Sequence, residues 1–180
     1  MLVIRFAELA ETAWKNGGGT TTEIAVSPEG AGFATFDWRL SVARVAGDGP
    51  FSNFPQIDRT LTLIEGNGMR LVIDGGEAIE LTTTSAPLAF PGDVPVTADL
   101  IDGPIRDLNV MTRRGRYRHQ VQRVNGETLV ASAPITLVVA LGEVRLGDVQ
   151  LGFGDTAQVE GSTAVPLSGK ALVIGLQRLA

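Results

Sequence analysis

The segment Trp14-Lys15-Asn16-Gly17-Gly18-Gly19-Thr20 combines residues that could bind a small molecule. Its three consecutive glycines allow the backbone to approach a ligand or another backbone closely. Lys15, Asn16 and Thr20 supply a positive charge and hydrogen-bonding groups beside the glycines. A flexible surface turn would contain similar residues, because glycine clusters are common in loops. We interpret the segment as a candidate part of a binding site.

Arg59 is the first candidate for contact with an anion. It precedes the apolar run Leu61-Thr62-Leu63-Ile64, so we expect its aliphatic stem to pack inward while the guanidinium lies at the rim of a β-barrel. A planar group with five N–H donors suits a carboxylate, which it can hold through two parallel hydrogen bonds. The alternative is a structural ion pair with Asp58 or another acid.

A predicted strand from residue 105 to residue 113 carries further candidates. Alternation along a strand places Asn109, Met111 and Arg113 on one face. We expect this face to line the mouth of a pocket, where Asn109 contacts a neutral polar group and Met111 adapts to the shape of the ligand. The same face could instead lie in water, and the alternation leaves both arrangements open.

Three other polar residues could reach the same cavity. Ser52 has no histidine near it in the sequence, so it is predicted to donate a hydrogen bond rather than to act as a nucleophile. Ser41 and Arg44 lie on or just after a predicted strand from residue 36 to residue 42. Their alternative role is ordinary strand polarity.

Composition excludes several kinds of chemistry. The chain has no cysteine, which removes thiol nucleophiles, disulfides and thiolate metal sites. Its single histidine, His119, cannot form a multi-histidine centre, so we expect no metal and no cofactor. The net charge of −5 disfavours nucleic acid and anionic membranes as partners. The basic run 113–119 is accordingly interpreted as a solvated or subunit-facing stripe, which leaves a homodimer open.

The elements that must position these residues are predicted to be β-strands throughout. Apolar and polar residues alternate in 22–26 and 36–42, and turn sequences such as Asn125-Gly126 separate the candidate strands. Many short strands divided by such turns are typical of a β-sandwich or β-barrel. Further strands are predicted at 59–65, 69–74, 78–82, 96–101, 105–113, 120–124, 128–132, 135–141 and 171–176.

Three sequence echoes indicate a duplicated unit. Residues 62–71 are similar to 136–146, 90–93 to 153–155, and 108–113 to 172–178, in the same order. This order predicts two jelly-roll-like units, the first at residues 1–118 and the second at 119–180, and strands could be exchanged between them. The second copy has apolar residues where the first has Asn109 and Met111, so a pocket is expected in the first unit.

Four motifs together resemble the HutD/Ves family of bacterial bicupins: 14–20, 48–59, 90–93 and 103–114. The resemblance covers most of the chain, although no motif with an assigned function lies beyond Arg118. It implies two stacked cupin barrels, a cytoplasmic protein and, in the HutD branch, an association with histidine utilisation. It also implies binding of an intermediate such as N-formylglutamate or urocanate, which limits the output of the pathway. The metal-binding histidines of ordinary cupins are missing from this chain.

Two functions follow from these observations. The preferred hypothesis is a cytoplasmic, non-catalytic binding protein that captures a small carboxylate metabolite through Arg59, Arg113 and Lys15. Specificity would come from Asn16, Thr20, Ser52, Asn109 and Met111. The alternative is a metal-independent isomerase, epimerase or lyase that acts on a small carboxylate or sugar and transfers a proton through Lys15 or an acid such as Glu65. This alternative requires a titratable group with a shifted pKa facing an enclosed cavity.

Overall fold

A computed structural model of the chain describes residues 1–126, 128–161 and 164–180. Within these ranges the regular structure is almost entirely β, and the one helical element is a short 3₁₀ turn at Phe6–Glu8. No helix of the described residues is long and apolar enough to span a membrane. The predicted all-β class is confirmed.

The strands are β1 (Leu2–Ile4), β2 (Glu11–Ala13), β3 (Gly19–Ser27), β4 (Trp38–Val45), β5 (Gly49–Pro50), β6 (Ile57–Glu65), β7 (Met69–Ile73), β8 (Ala78–Leu81), β9 (Leu88–Pro91), β10 (Val96–Leu100), β11 (Ile105–Arg113), β12 (Tyr117–Asn125), β13 (Thr128–Val130), β14 (Ile135–Ala140), β15 (Val144–Leu146), β16 (Val149–Leu151), β17 (Thr156–Glu160), β18 (Ala164–Ser168) and β19 (Lys170–Arg178).

The chain divides into two compact units. The central unit comprises Ala10–Arg114, and the terminal unit comprises Met1–Leu9 together with Gly115–Ala180. The sequence predicts a division into residues 1–118 and 119–180, with strands that could be exchanged between the units. The first strand instead joins the C-terminal residues, because β1 pairs antiparallel with β17 and Val3 packs against the apolar cluster of the terminal unit.

The central unit contains two antiparallel sheets that contribute to one apolar cluster. The six-stranded sheet has the order β2-β3-β4-β11-β6-β9, and the four-stranded sheet has the order β5-β10-β7-β8. Leu61 and Leu63 of the first sheet belong to the same cluster as Leu71 and Val96 of the second. The face of the six-stranded sheet that carries Leu61 and Leu63 is therefore its core face.

The terminal unit also contains two sheets with one shared cluster. Its sheets have the orders β1-β17-β14-β19-β12 and β13-β18-β15-β16. Val138 and Ala171 from the first sheet pack with Leu146 and Leu167 from the second. Among the described residues of this unit, the buried polar residues are Thr136, Asp155 and Thr156.

The pairing pattern repeats after eight strands. In the central unit β11 pairs with β4 and β6, β6 pairs with β9, and β10 pairs with β5 and β7. In the terminal unit β19 pairs with β12 and β14, β14 pairs with β17, and β18 pairs with β13 and β15. The sequence echoes at 62–71 and 136–146 fall on strands that have equivalent partners in this scheme.

Candidate functional site

The core face of the six-stranded sheet carries a buried group of polar residues. We call this group the arginine cluster; its members are Arg39, Ser41, Arg59, Asp107 and Asn109. None of the five is more than 7% exposed. Burial of several charged groups is costly unless they are paired, so the cluster is the most unusual feature of the central unit.

Strand register explains why these residues meet. Strand β11 lies between β4 and β6, and Met111 stands opposite both Arg39 and Arg59. One step along, Asn109 stands opposite Ser41 and Leu61. Residues directly opposite each other in neighbouring strands share a face of the sheet. The polar face of β11 therefore points into the core, and the arrangement in which it lies in water is excluded for the buried Asn109 and Met111.

Arg59 lies against two aromatic rings and one amide. Its Nε donates a hydrogen bond of 2.7 Å to Asn109 Oδ1. The guanidinium carbon lies 4.7 Å from the centre of the Phe51 ring and 5.4 Å from that of Phe90, where cation–π attraction offsets part of the cost of burial. The bond to Asn109 uses Nε, and Nη1 and Nη2 donate no hydrogen bond to the residues that the structure describes.

Burial also weakens the hold of Arg59 on its proton. It lowers the pKa of Arg59 to about 10, with the nearby Arg39 acting in the same direction and the Asp107 carboxylate opposing both. Arg59 remains a cation at neutral pH, but its surroundings lack enough negative charge to compensate it fully. An anionic ligand would supply that charge.

Asp107 is the acidic member of the cluster. Its Oδ1 accepts a hydrogen bond from Asn109 Nδ2, so Asn109 joins Asp107 to Arg59. Burial raises the pKa of Asp107 to about 6, although the charge of Arg59 and the hydrogen bond from Asn109 both act to lower it. Asp107 thus has the shifted pKa that the enzymatic hypothesis requires of a titratable group. Its alternative, Glu65, is exposed and accepts a 2.8 Å hydrogen bond from Arg106.

Arg39 is the member that sequence reasoning missed. Its Nε donates to Glu23 Oε2 at 2.6 Å, and its Nη1 donates to Ser41 Oγ at 3.1 Å. The exposed ring of Phe33 covers its guanidinium at 5.1 Å. The alternation Trp38-Arg39-Leu40-Ser41 could have indicated it, because residues 39 and 41 lie on the same face of a strand. Only the pairing of β4 with β11 shows that this face of β4 points into the core.

Two predicted residues flank the cluster on β11. Met111 packs with Phe36 and Ile57 and stands between the two arginines. Arg113 is half-buried and donates hydrogen bonds to the carbonyl oxygens of Phe36 at 2.9 Å and Ala34 at 3.0 Å. Through these bonds, Nε and Nη2 of Arg113 hold the loop that precedes β4. Met111 instead lies beside Arg59.

The glycine segment forms the turn between β2 and β3. A side chain at Gly19 would overlap the carbonyl oxygen of Arg44 and crowd the ring of Trp14. The glycine is therefore required by the close approach of two strands. Trp14 packs against the apolar cluster and donates from Nε1 to Thr21 Oγ1 at 2.7 Å.

The remaining predicted residues lie outside the arginine cluster. Lys15 is exposed in the turn, and Asn16 accepts a 3.0 Å hydrogen bond from the backbone N–H of Gly18. Thr20 bonds to the carboxylate of Glu11 and stands opposite the exposed Arg44, on the other face of the sheet. Ser52 is exposed in the loop before β6. The structure brings Arg59, Asn109, Met111 and Ser41 together but not these four residues.

The described residues also lack a set of metal ligands. No group of three or more histidine, cysteine, aspartate or glutamate side chains lies close enough to hold a metal ion in that part of the chain. What the arginine cluster offers is instead a pair of buried cations beside one protonatable carboxyl group. That combination can bind an anion and exchange a proton.

Sequence comparison finds relatives over most of the chain. A model of the HutD family matches residues 6–174. An uncharacterised 21.2 kDa protein in the hutC 3′ region of Pseudomonas putida is 37% identical over 167 residues, which cover 89% of this chain and 87% of that protein. The protein Ves of Cronobacter sakazakii is 41% identical over 110 residues, 61% of this chain and 59% of that one.

Comparison of structures gives a consistent result. HutD from Pseudomonas fluorescens SBW25, solved in a formate condition, superposes with a TM-score of 0.91 and 36% sequence identity over 99% of both chains. Oxalate decarboxylase of Bacillus subtilis superposes with a TM-score of 0.66 at 7% identity over 97% of this chain and 77% of that one. The second likeness concerns the cupin-like β fold alone.

Proposed function

The chain belongs to the HutD family, and we propose that it binds a small carboxylate metabolite at Arg59 and thereby regulates histidine utilisation. The link to this pathway rests on the family and on the Pseudomonas putida relative, whose name places it in the hutC 3′ region. The predicted HutD/Ves resemblance is confirmed by the family match.

One observation carries the carboxylate proposal: the orientation of the buried Arg59 guanidinium. Asn109 fixes Nε, and the rings of Phe51 and Phe90 fix the plane of the group. The two terminal nitrogens then present the edge that pairs with a carboxylate through two parallel hydrogen bonds. A guanidinium fixed in advance loses less conformational entropy when it binds a ligand.

The ligand class proposed is an intermediate of the N-formylglutamate or urocanate type. Both carry a carboxylate for Arg59 and a second polar group. The formate condition of the Pseudomonas fluorescens HutD supports the use of formate as a minimal probe, because formate is a carboxylate without any other recognition group. Comparison of these compounds separates the contribution of the carboxylate from that of the rest of the ligand.

The repeated strand pairing supports a two-unit cupin architecture in which only the central unit binds the ligand. Both units contain equivalent strand pairs, but the buried arginines of the described residues belong to the central unit. Function on a metabolite of histidine breakdown would place the protein in the cytoplasm. Fractionation of cells grown on histidine, followed by immunodetection, tests the location.

Calorimetric titration tests the proposed function. Purified protein is titrated with N-formyl-L-glutamate, urocanate, glutamate and formate, and with analogues whose carboxylates are capped as amides. We expect the carboxylates to bind and to raise the thermal midpoint, because a ligand that binds only the native state stabilises it. Equal binding of charged and capped compounds would contradict the role of Arg59.

The environment of Asp107 favours a second candidate function, a metal-independent enzyme. A carboxyl group with a pKa of about 6 beside two arginines could transfer a proton at neutral pH. Incubation of the same compounds with the protein, followed by chromatography of the products, distinguishes the two functions. Recovery of every compound unchanged supports the binding protein, and conversion that Asp107→Asn abolishes supports the enzyme.

A further inference from the structure

One oxygen of Asp107 has no role in the proposed contact with the ligand. Oδ1 accepts a hydrogen bond from Asn109, which in turn accepts one from Arg59. Oδ2 is buried and has no hydrogen-bond partner in the described part of the chain. A carboxylate oxygen that loses its hydration without replacement favours the neutral, protonated acid.

The charges that face Asp107 come from three neighbouring strands. Arg59 on β6 is the cation that stabilises the Asp107 anion. Arg39 on β4 lies on the same face, but Glu23 on β3 pairs with it at 2.6 Å. Directly opposite Asp107 stand the apolar Ala43 and Leu63. The second sheet contributes the apolar residues Met69, Leu71, Leu81, Val96 and Ala98.

We propose that Asp107 takes up one proton when an anion binds to Arg59, so that ligand affinity rises as the pH falls. This inference rests on the proposed function. A carboxylate on Arg59 neutralises the charge that stabilises the Asp107 anion and adds a second negative charge nearby. The buffer then gives up a proton, and an O–H bond forms at Oδ2. Asp107 is a positioning residue, because it acts on the ligand through Asn109 and Arg59.

The direction of the effect follows from the two protonation states. In the free protein Asp107 is mostly ionised above its pKa of about 6. Because the bound anion raises this pKa further, binding and protonation promote each other between the two values. Below about pH 5 the acid is already protonated before the ligand arrives, so the linkage disappears there.

Calorimetry in buffers of different ionisation enthalpy measures this linkage directly. N-formyl-L-glutamate is the probe, because its carboxylates do not titrate between pH 6 and 8.5. At pH 7.5 the slope of binding enthalpy against buffer enthalpy should show uptake of about 0.5 to 1 proton. The affinity should fall by up to about tenfold per pH unit above pH 7.

Two variants identify the proton acceptor. Asp107→Asn replaces the acid by a neutral group of similar shape, and we expect it to bind without proton uptake and without pH dependence. Glu65→Gln makes the same chemical change at the exposed end of β6, and proton uptake should persist. Uptake that persists in Asp107→Asn would overturn the inference.

The slope of binding enthalpy against buffer ionisation enthalpy, measured on the wild type, tests the inference even if Asp107→Asn fails to fold. Binding with a slope of zero in the wild type would overturn the inference and leave the proposed function intact. Absence of binding of N-formyl-L-glutamate, urocanate, glutamate and formate, in every buffer, would overturn both proposals.

Discussion

The central and terminal units pair their strands in the same order but differ in what their interiors contain. On the core face of β11 the central unit carries Asp107 and Asn109, whereas β19 of the terminal unit carries Ala171 and Val173 on the face that packs into its cluster. Their neighbouring strands also differ in polarity: β6, which pairs with β11, carries Arg59, whereas β14, which pairs with β19, carries Val138. The same order of strand pairing is thus compatible with a polar or an apolar interior.

This difference indicates which unit contains buried residues that folding alone does not explain. Most of the buried residues of the terminal unit are apolar and need no hydrogen-bond partners, since burial itself stabilises them. The arginine cluster requires hydrogen bonds, stacked rings and opposite charges to offset its burial, and no hydrogen bond to Asp107 Oδ2 comes from any residue that the structure describes. A polar interior that costs stability is expected at a binding or catalytic site.

The comparison predicts that the terminal unit cannot accept an arginine. Val138→Arg would place an unpaired charge among apolar side chains, and we expect it to lower the free energy of unfolding by about 3–5 kcal/mol. Denaturant unfolding measures the loss. Val130→Arg, at a position 68% exposed in the same unit, is the control and should change stability little. A stable Val138→Arg protein would contradict the distinction between the two interiors.

A second prediction concerns the cost of the ionised Asp107. Its folded-state pKa of about 6 lies above the ordinary aspartate value of 3.8, so its contribution to stability is full below pH 4 and is lost as the pH rises through 6. Without ligand, Asp107→Asn should therefore be more stable than the wild type at pH 8, by up to about 3 kcal/mol, and not at pH 4. Urea unfolding at both pH values tests this; a constant difference would argue against a titrating Asp107.

A third prediction tests the geometry at Arg59. Lysine keeps the charge but replaces the planar fork by a point charge, so Arg59→Lys should weaken carboxylate binding by about 1–3 kcal/mol. Arg114→Ala is the matched control, because Arg114 pairs with Asp58 and Asp93 at the surface. Its affinity should equal that of the wild type. Full binding by the lysine variant, or a large loss in the control, would show that the site lies elsewhere.

The smallest predicted effect lies in the terminal unit. Asp155 accepts hydrogen bonds from the backbone N–H groups of Phe6 and Gly152 and from Arg5, which ties β1 to this unit. Burial raises the pKa of Asp155, but these bonds together outweigh it and lower the pKa. Asp155→Ala should cost about 1–2 kcal/mol of stability at neutral pH and less once the acid is protonated, without affecting ligand affinity. A change in affinity would mean that the terminal unit contributes to binding.

Local sequence patterns were sufficient to predict most of the longer strands. The alternation in 105–113 corresponds to β11 at Ile105–Arg113, and the run 59–65 lies within β6. The strands β1, β2, β5, β9 and β15–β18 were not predicted; each has only two to five residues, although β8 and β13, which are equally short, were predicted. Their positions depend on the partners with which they pair.

The sequence by itself determined the all-β class, the family and the choice of Arg59 and Asn109, because these depend on alternation, on long motifs and on residue chemistry. Only the tertiary structure decided which polar residues share a face. Pairing of β4 with β11 brought Arg39 and Ser41 beside Asn109, and the same register put Thr20 on the opposite face. A period of two assigns side chains to two faces, but strand pairing and the second sheet determine which of those faces is buried.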